Sequence, residues 1–90
     1  MNTSVEISYY PLKEEFIPAI LSFIDRLKMY PEIHVEKNGI STHVFGKYSQ
    51  VMQALTNEIE KSFEIPHSVF VLKIINADLR TYNSNNERTH

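Results

Sequence analysis

The dipeptide Asn38-Gly39 lies near the middle of the 90-residue chain and restricts its fold more than any other feature. Asn-Gly readily adopts the positive φ angles of a tight hairpin turn. It follows a short alternating run, residues 32–37, and precedes six residues of strand-like composition, residues 40–45. The sequence therefore predicts a central hairpin, and its second strand carries the hydroxyl groups of Ser41 and Thr42.

Two other stretches carry apolar residues at helical spacing. Residues 14–30 predict a first helix whose regular turns begin near residue 15 or 16, because Pro18 fits only the first turn of a helix; Pro31 then ends it. Residues 50–63 predict a second helix with Ser49 as its N-cap. The predicted buried stripes are Phe16, Ile20, Phe23, Ile24 and Leu27 in the first helix, and Met52, Leu55, Ile59 and Phe63 in the second.

Two further strands complete the pattern. Residues 5–10 alternate apolar and polar side chains and end at Pro11, which has no N–H for a sheet ladder. Residues 68–76 are apolar on both faces. Phe70, Leu72 and Ile74 lie on one of these faces, and Val69, Val71 and Ile75 lie on the other. The helices of a two-layer domain cover only one face of the sheet, so an apolar second face must be covered by something else. Self-association of the protein is the simplest way to cover it.

The predicted order is therefore strand, helix, strand, strand, helix, strand. This order is typical of the α+β ferredoxin-like βαββαβ sandwich, a four-stranded antiparallel sheet with two helices on one face. The length predicts one such domain over residues 1–80, and the polar residues 81–90 predict a mobile C-terminal tail. The fold hosts many functions, so it does not by itself decide among them.

The charge balance disfavours a nucleic-acid partner. Nine Lys and Arg residues against eleven Asp and Glu residues give a net charge of -2, whereas binding to phosphates needs a basic surface. No apolar run approaches the roughly 20 residues of a membrane span. The first four residues lack the basic and apolar regions of a signal peptide. We therefore expect a cytoplasmic protein that binds neither nucleic acid nor membrane.

The usual catalytic patterns are missing from the sequence. The connection after the first strand, residues 11–13, has no glycine and no arginine, although an acylphosphatase of this strand order would need an arginine and a phosphate cradle there. The absence of cysteine excludes a thiol nucleophile and a thiolate metal site. The four histidines, His34, His43, His67 and His90, are too widely spaced for a helix or strand metal motif. We expect no enzyme activity, metal or cofactor; a small hydrolase that uses His43 is the alternative from the enzyme class.

Hydroxyl and aromatic side chains are concentrated on the first and third strands, which are the central pair of this fold. These residues are Ser8, Tyr9, Tyr10, Ser41 and Thr42. They suit a pocket for a flat, partly polar ring, because aromatic rings stack and hydroxyls fix orientation. They also suit a second interpretation, in which the hydroxyls bond within the sheet and the tyrosines pack at a subunit interface. The residues alone favour this second interpretation. Ser41 and Thr42 must point to opposite faces, and we expect Thr42 between the sheet and the helices and Ser41 on the side of the assembly.

Two blocks of sequence carry a resemblance to a known family. The first runs Ile7-Ser8-Tyr9-Tyr10-Pro11-Leu12 and is followed closely by Phe16-Ile17. The second runs Gly39-Ile40-Ser41-Thr42-His43-Val44-Phe45-Gly46 and is followed by a helix that contains Val51-Met52-Gln53-Ala54. In content, order and spacing they resemble the signature regions of the YkoF-like family of thiamine/hydroxymethylpyrimidine-binding proteins, over about residues 5–76.

The resemblance implies a ferredoxin-like fold, assembly through the sheet faces as a homodimer or homotetramer, and a pocket for thiamine or its pyrimidine precursor without catalysis. Carried over by position, the ligand-binding residues are Ser8 and Tyr10 in the first block and Ser41 and Thr42 in the second. The implied task is thiamine uptake, salvage or buffering. The alternative is an oligomeric structural or protein-interaction module of the same fold with no small-molecule ligand.

Overall fold

The computed structural model describes residues 1–39 and 41–80. The elements are β1 (Asn2–Pro11), α1 (Phe16–Leu27), β2 (His34–Lys37), β3 (Thr42–Lys47), α2 (Tyr48–Ser62) and β4 (Ser68–Ile75). Their order confirms the predicted βαββαβ arrangement. Ile40 and the predicted tail, residues 81–90, lie outside the described residues.

One antiparallel sheet contains all four strands, in the order β2-β3-β1-β4. This is the ferredoxin-like α+β fold that the sequence predicts. Strands β1 and β3 are the central pair, and Val5 pairs with Val44 on one side and with Ile74 on the other. The doubly apolar strand β4 lies at an edge of the sheet.

The hydrophobic core lies between the sheet and the two helices. Alternation along β1 turns Val5, Ile7 and Tyr9 towards the helices, where all three are buried. The helix residues of the same cluster are Phe23, Ile24 and Leu27 from α1, and Val51, Ala54 and Leu55 from α2. The Tyr9 ring stacks on Phe70 with a centroid separation of 4.2 Å. Tyr9 is therefore a core residue.

The predicted start of α2 is wrong. Ser49 lies inside the helix, and the N-cap position is taken by Lys47, which makes no side-chain capping bond. The cause is that β3 continues through Gly46 to Lys47, so the chain passes from strand to helix without a loop. The Tyr48 N–H instead donates to the carbonyl oxygen of Met1 at 2.8 Å.

The central turn also differs from the predicted geometry. Lys37 pairs with Thr42, so the chain reverses between them as predicted, and the Asn38 N–H donates to the Ser41 carbonyl at 2.8 Å. Neither Asn38 nor Gly39 has a positive φ; among the described residues that feature belongs to Gly46, at 157°. Asn38 and Gly39 therefore do not form the pair of positive-φ central positions expected of an Asn-Gly turn.

The two helices pack over a shorter length than their apolar stripes predict. Phe16 and Phe63, both predicted to be buried, are exposed. Phe16 is the first residue of α1, and Phe63 follows the last residue of α2, so both lie at the ends of the helices. Neither helix in the described part of the chain is long and apolar enough to cross a lipid bilayer.

The sheet face turned away from the helices is here called the open face. On β1 it presents Ser4, Glu6, Ser8 and Tyr10, since these alternate with the core residues. One end of this face is crossed by residues 76–80, here called the strap. Ser4 fixes the strap, because its hydroxyl donates to the Ala77 carbonyl at 2.6 Å and accepts from the Leu79 N–H at 2.9 Å.

The strap also covers an aromatic ring on β3. The Arg80 guanidinium lies 5.2 Å from the centroid of the Phe45 ring, and Phe45 is only 4% exposed. Hydrogen bonds from Arg80 hold the pKa of the Asp78 carboxyl below its ordinary value. The other end of the open face, around Tyr10, is left uncovered by these residues.

Candidate functional site

The predicted site residues fall on both faces of the sheet. Ser8, Tyr10 and Ser41 lie on the open face, whereas Thr42 faces the helices and is 7% exposed. The expected separation of Ser41 and Thr42 is therefore confirmed. The sheet itself lies between these two groups of residues, so the four do not line one cavity.

The open face carries a recess of about 480 Å³. It is lined by Glu6, Ser8, Asn38, Gly39 and Ser41. Asn38, Gly39 and Ser41, between β2 and β3, supply one wall, and β1 supplies the floor. Its volume falls within the roughly 300–1,000 Å³ of known small-molecule pockets. We call this cavity the serine recess.

Two hydroxyls of the serine recess differ in their surroundings. The Ser41 Oγ lies 3.2 Å from Nε2 of His43, two residues further along β3. Ser8 is partly buried on β1. Tyr10 follows Ser8 on the same face and is 52% exposed, which places its ring at the uncovered end of the open face. Serine hydroxyls can donate and accept, so they can bond to many polar ligand groups.

Thr42 lines a different and smaller recess on the helix side of the sheet. Its volume is about 90 Å³, and its walls include Ile7, Phe23 and Ile24 from the core. Such a space is well below the roughly 300 Å³ of a typical small-molecule pocket. Asn38, Gly39 and Ser41 line both this recess and the serine recess, which lie on opposite sides of the sheet.

A row of charged and titratable side chains crosses the open face. Glu36, His43, Glu6 and Lys73 lie directly opposite one another on the four neighbouring strands. Glu6 Oε2 is 3.5 Å from His43 Nε2, and Glu6 Oε1 is 3.5 Å from Lys73 Nζ. Both distances exceed the usual length of a charge-assisted hydrogen bond, about 2.7–2.9 Å. The meeting of Glu6 with His43 and Lys73 was not predicted, because it depends on the register of three strands, which the sequence of one strand does not contain.

A second recess on the open face lies under the strap. It has a volume of about 320 Å³, and apolar side chains of Phe45, Ile75 and Leu79 form much of its wall. Glu6 also lines it, together with His43. Among the described residues, Glu6 is the one side chain shared by this recess and the serine recess.

The histidines do not form a metal-binding group in the part of the chain that the structure describes. His34 lies opposite Phe45, while His43 lies opposite Glu36, so the two histidines are not direct cross-strand partners. Within residues 1–39 and 41–80, no group of three or more His, Cys, Asp or Glu side chains is placed to hold a metal ion.

A recess of about 370 Å³ on the helix side has a structural explanation. It is lined by Arg26, Tyr30 and Glu58, whose polar atoms bond to one another across α1 and α2. The pKa of the Tyr30 hydroxyl is raised, chiefly because it donates a hydrogen bond to the Glu58 carboxylate. These groups satisfy each other, so the recess offers a ligand few free partners.

No protein-family model matches the sequence, and no curated protein matches it significantly. Several solved structures share its fold. The Thermotoga maritima protein TM0486, with a suggested role in thiamine biosynthesis or salvage, has a TM-score of 0.84 at 16% identity, over 96% of this chain and 99% of that one. The hypothetical protein MJ1052 from Methanocaldococcus jannascii has a TM-score of 0.78 at 20% identity, over 96% and 97% of the two chains.

A third solved structure, protein SP2199 from Streptococcus pneumoniae, has a TM-score of 0.71 at 18% identity, over 97% of this chain and 99% of that one. All three proteins are matched over nearly their whole length, so the single βαββαβ unit corresponds to each complete neighbouring chain. At identities of 20% and below, the likeness shows that this chain has the fold of these small proteins.

Proposed function

We propose that this protein is a non-enzymatic binder of thiamine or its hydroxymethylpyrimidine precursor, of the YkoF-like type. The observation that carries the proposal is the serine recess, where Ser8 of β1 and Ser41, directly before β3, line one cavity of ligand size. These two serines come from the two sequence blocks that resemble the YkoF-like family. The suggested role of the Thermotoga maritima neighbour in thiamine biosynthesis or salvage supports the same ligand class.

The chemistry of the serine recess suits an aminopyrimidine. Such a ring has nitrogen acceptors and an amino donor, and serine hydroxyls can serve both kinds of group. In this proposal Ser8 and Ser41 bond to the ring edge, and the exposed Tyr10 ring packs against the ligand from the open end of the face. Thr42 belongs to the ligand site only if the small recess behind β3 expands to admit part of the ligand.

The second part of the proposal concerns assembly. The uncovered end of the open face presents Tyr10, Val69 and Val71, and Val71 is 51% exposed. Contiguous exposed apolar residues on a sheet face favour association. We propose that a second copy of the chain covers them, giving a homodimer or homotetramer through the sheet faces. Its task would be carriage, buffering or delivery to thiamine uptake or salvage in the cytoplasm.

The test is a thermal-shift titration of the purified protein with thiamine, hydroxymethylpyrimidine and thiamine phosphates. Binding to the folded state alone raises the free energy of unfolding by about 2.7 kcal/mol at a hundredfold excess of ligand over Kd. Native mass spectrometry of the same sample measures the assembly. A saturable shift with one compound supports the binder. An intact oligomer with no shift at millimolar ligand would instead favour the interaction module.

A further inference from the structure

We propose that Glu6 selects the ligand of the serine recess, and that it favours a neutral heterocycle with an amino group over the same ring with an oxo group. This inference rests on the proposed function and adds the residue that decides specificity. It starts from the position of Glu6, whose side chain lines the serine recess beside Ser8 and Ser41.

The hydrogen-bonding capacity of Glu6 is unlike that of the other polar groups in the recess. Serine hydroxyls and the Asn38 amide can each donate or accept, so they bond equally well to an amino or an oxo group. An ionised carboxylate only accepts. Among the described side chains that line the serine recess, Glu6 alone can therefore distinguish a donor from an acceptor on the ligand.

The carboxylate of Glu6 has acceptor capacity to spare. Its two contacts, to His43 and Lys73, are both 3.5 Å long, which is beyond an ordinary hydrogen bond. The side chain is partly exposed and borders both recesses of the open face. An amino group in the serine recess can donate to this carboxylate without displacing a short bond.

The charged and titratable neighbours of Glu6 favour a neutral over a cationic ligand group beside its carboxylate. Lys73 lies on one side of the carboxylate and already balances its charge, and His43 lies on the other. A cationic group placed here would meet the positive charge of Lys73, whereas a neutral N–H donor would not. Hence we assign the pyrimidine amino group, and not the thiazolium ring of thiamine, to Glu6.

The experiment compares two probes on three proteins. The probes are hydroxymethylpyrimidine, whose ring carries an amino group, and its oxo counterpart, in which a carbonyl replaces that group. The proteins are the wild type, Glu6→Gln and Glu36→Gln. The last is a matched control, because Glu36 lies in the same row of the open face, opposite His43, but does not line the serine recess. Calorimetric titration gives Kd for each pair.

We expect the wild type and Glu36→Gln to bind the amino probe at least about tenfold more tightly than the oxo probe, since a carboxylate acceptor leaves an oxo group unpaired. In Glu6→Gln the amide can donate as well as accept, so the ratio should fall to within about threefold. An unchanged ratio in Glu6→Gln, with wild-type melting temperature, would overturn the role of Glu6 and leave the binder intact. Failure of the wild type to bind either probe, together with no thermal shift on addition of thiamine, would remove the proposed function itself.

Discussion

Arg26 on α1 and Glu58 on α2 are joined by a 2.7 Å contact between Nε and Oε1, on the outer side of the helix layer. The second carboxylate oxygen accepts a hydrogen bond of 2.7 Å from the Tyr30 hydroxyl. Arg26 donates in addition to the Ser62 hydroxyl at 2.7 Å. Glu58 is only 13% exposed, so this network connects the two helices in partial shelter from water.

Replacing Glu58 with glutamine should lower the free energy of unfolding. The substitution keeps the shape of the side chain but removes the charge that Arg26 and Tyr30 bind, which costs about 1–2 kcal/mol for a sheltered charge-assisted network. Urea unfolding followed by circular dichroism measures the change. Glu60→Gln, an exposed position on the same helix, is the control and should stay within about 0.5 kcal/mol of the wild type. Equal effects of the two substitutions would contradict the role of the network.

The same network predicts how stability depends on pH. Burial raises the pKa of Glu58, but hydrogen bonds from Tyr30 and Arg26 outweigh it and hold the pKa below its ordinary value of 4.5. A carboxyl whose pKa is lower in the folded than in the unfolded state stabilises the fold fully above the unfolded pKa. This stabilisation is lost as the pH falls through the folded pKa.

We therefore expect the stability difference between the wild type and Glu58→Gln to be constant near neutral pH and to shrink below pH 4.5. Urea unfolding at a series of pH values measures it. The pKa of Asp78 is also lowered, but that group is present in both proteins and cancels in the difference. If the unfolding free energies of the two proteins instead differed by a constant amount down to about pH 3, the prediction would be wrong. Glu58 would then have the same pKa in the folded and unfolded chains.

Replacement by alanine should destabilise the protein at one of its two glycines and have almost no effect at the other. A Cβ at Gly46 would lie 3.2 Å from Cγ2 of Val51 and 3.3 Å from the Glu32 carbonyl, and φ is 157°. Gly46→Ala should therefore cost about 1–3 kcal/mol of unfolding free energy through crowding. A Cβ at Gly39 meets nothing within 4 Å, so Gly39→Ala should change stability by no more than about 0.5 kcal/mol. Urea unfolding of both variants checks the contrast; a costly Gly39→Ala would contradict it.

Two adjacent residues, Ser41 directly before β3 and Thr42 at its start, differ in the recesses that they line: Ser41 lines both, whereas Thr42 lines only the small one behind the sheet. Ser41→Ala removes a hydroxyl from the serine recess, and it should weaken thiamine or hydroxymethylpyrimidine binding by about five- to tenfold, the value of one hydrogen bond. Thr42→Val removes a hydroxyl from the other side of the sheet and should leave Kd within about twofold. Calorimetry measures both. The reverse result would place the ligand between the sheet and the helices.

The proposed assembly depends on the uncovered end of the open face. Val71→Glu introduces a charge into this uncovered end and should convert the oligomer to a monomer. Burial of an unpaired carboxylate in the interface would cost more free energy than the remaining contacts contribute. Met29→Glu, at a mostly exposed apolar residue on the helix side, should leave the assembly intact. Native mass spectrometry distinguishes the species. An oligomer that survives Val71→Glu must use another surface.

The sequence predicts the architecture well, since alternation and helical spacing are local properties. The faces of Val5, Ile7 and Tyr9 follow from period two alone, as does the separation of Ser41 and Thr42. Element ends are less predictable: Ser49 looks like an N-cap, but the continuation of β3 through Gly46 moves the helix start to Tyr48.

The candidate site was only partly predictable for a different reason. Ser8 and Ser41 could be found because each lies in a recognisable block of sequence. Glu6, His43 and Lys73 meet through the register of three strands, and the covering of Phe45 depends on the strap. Such features arise from the pairing of distant segments, which no local pattern encodes.

The hydrogen bonds at the start of β1 have a consequence for the order in which the molecule folds. Thr3 bonds to the carbonyl of Ile75, 72 positions away, and Ser4 holds the strap at a similar separation. Contacts so distant in sequence require a large loop to close, which makes them slow to form compared with the β2–β3 hairpin. The serine recess, in contrast, is built from β1 together with Asn38, Gly39 and Ser41, so it needs only the pairing of β1 with β3. A folding chain can therefore complete this recess before β4 and the strap close over the other end of the open face.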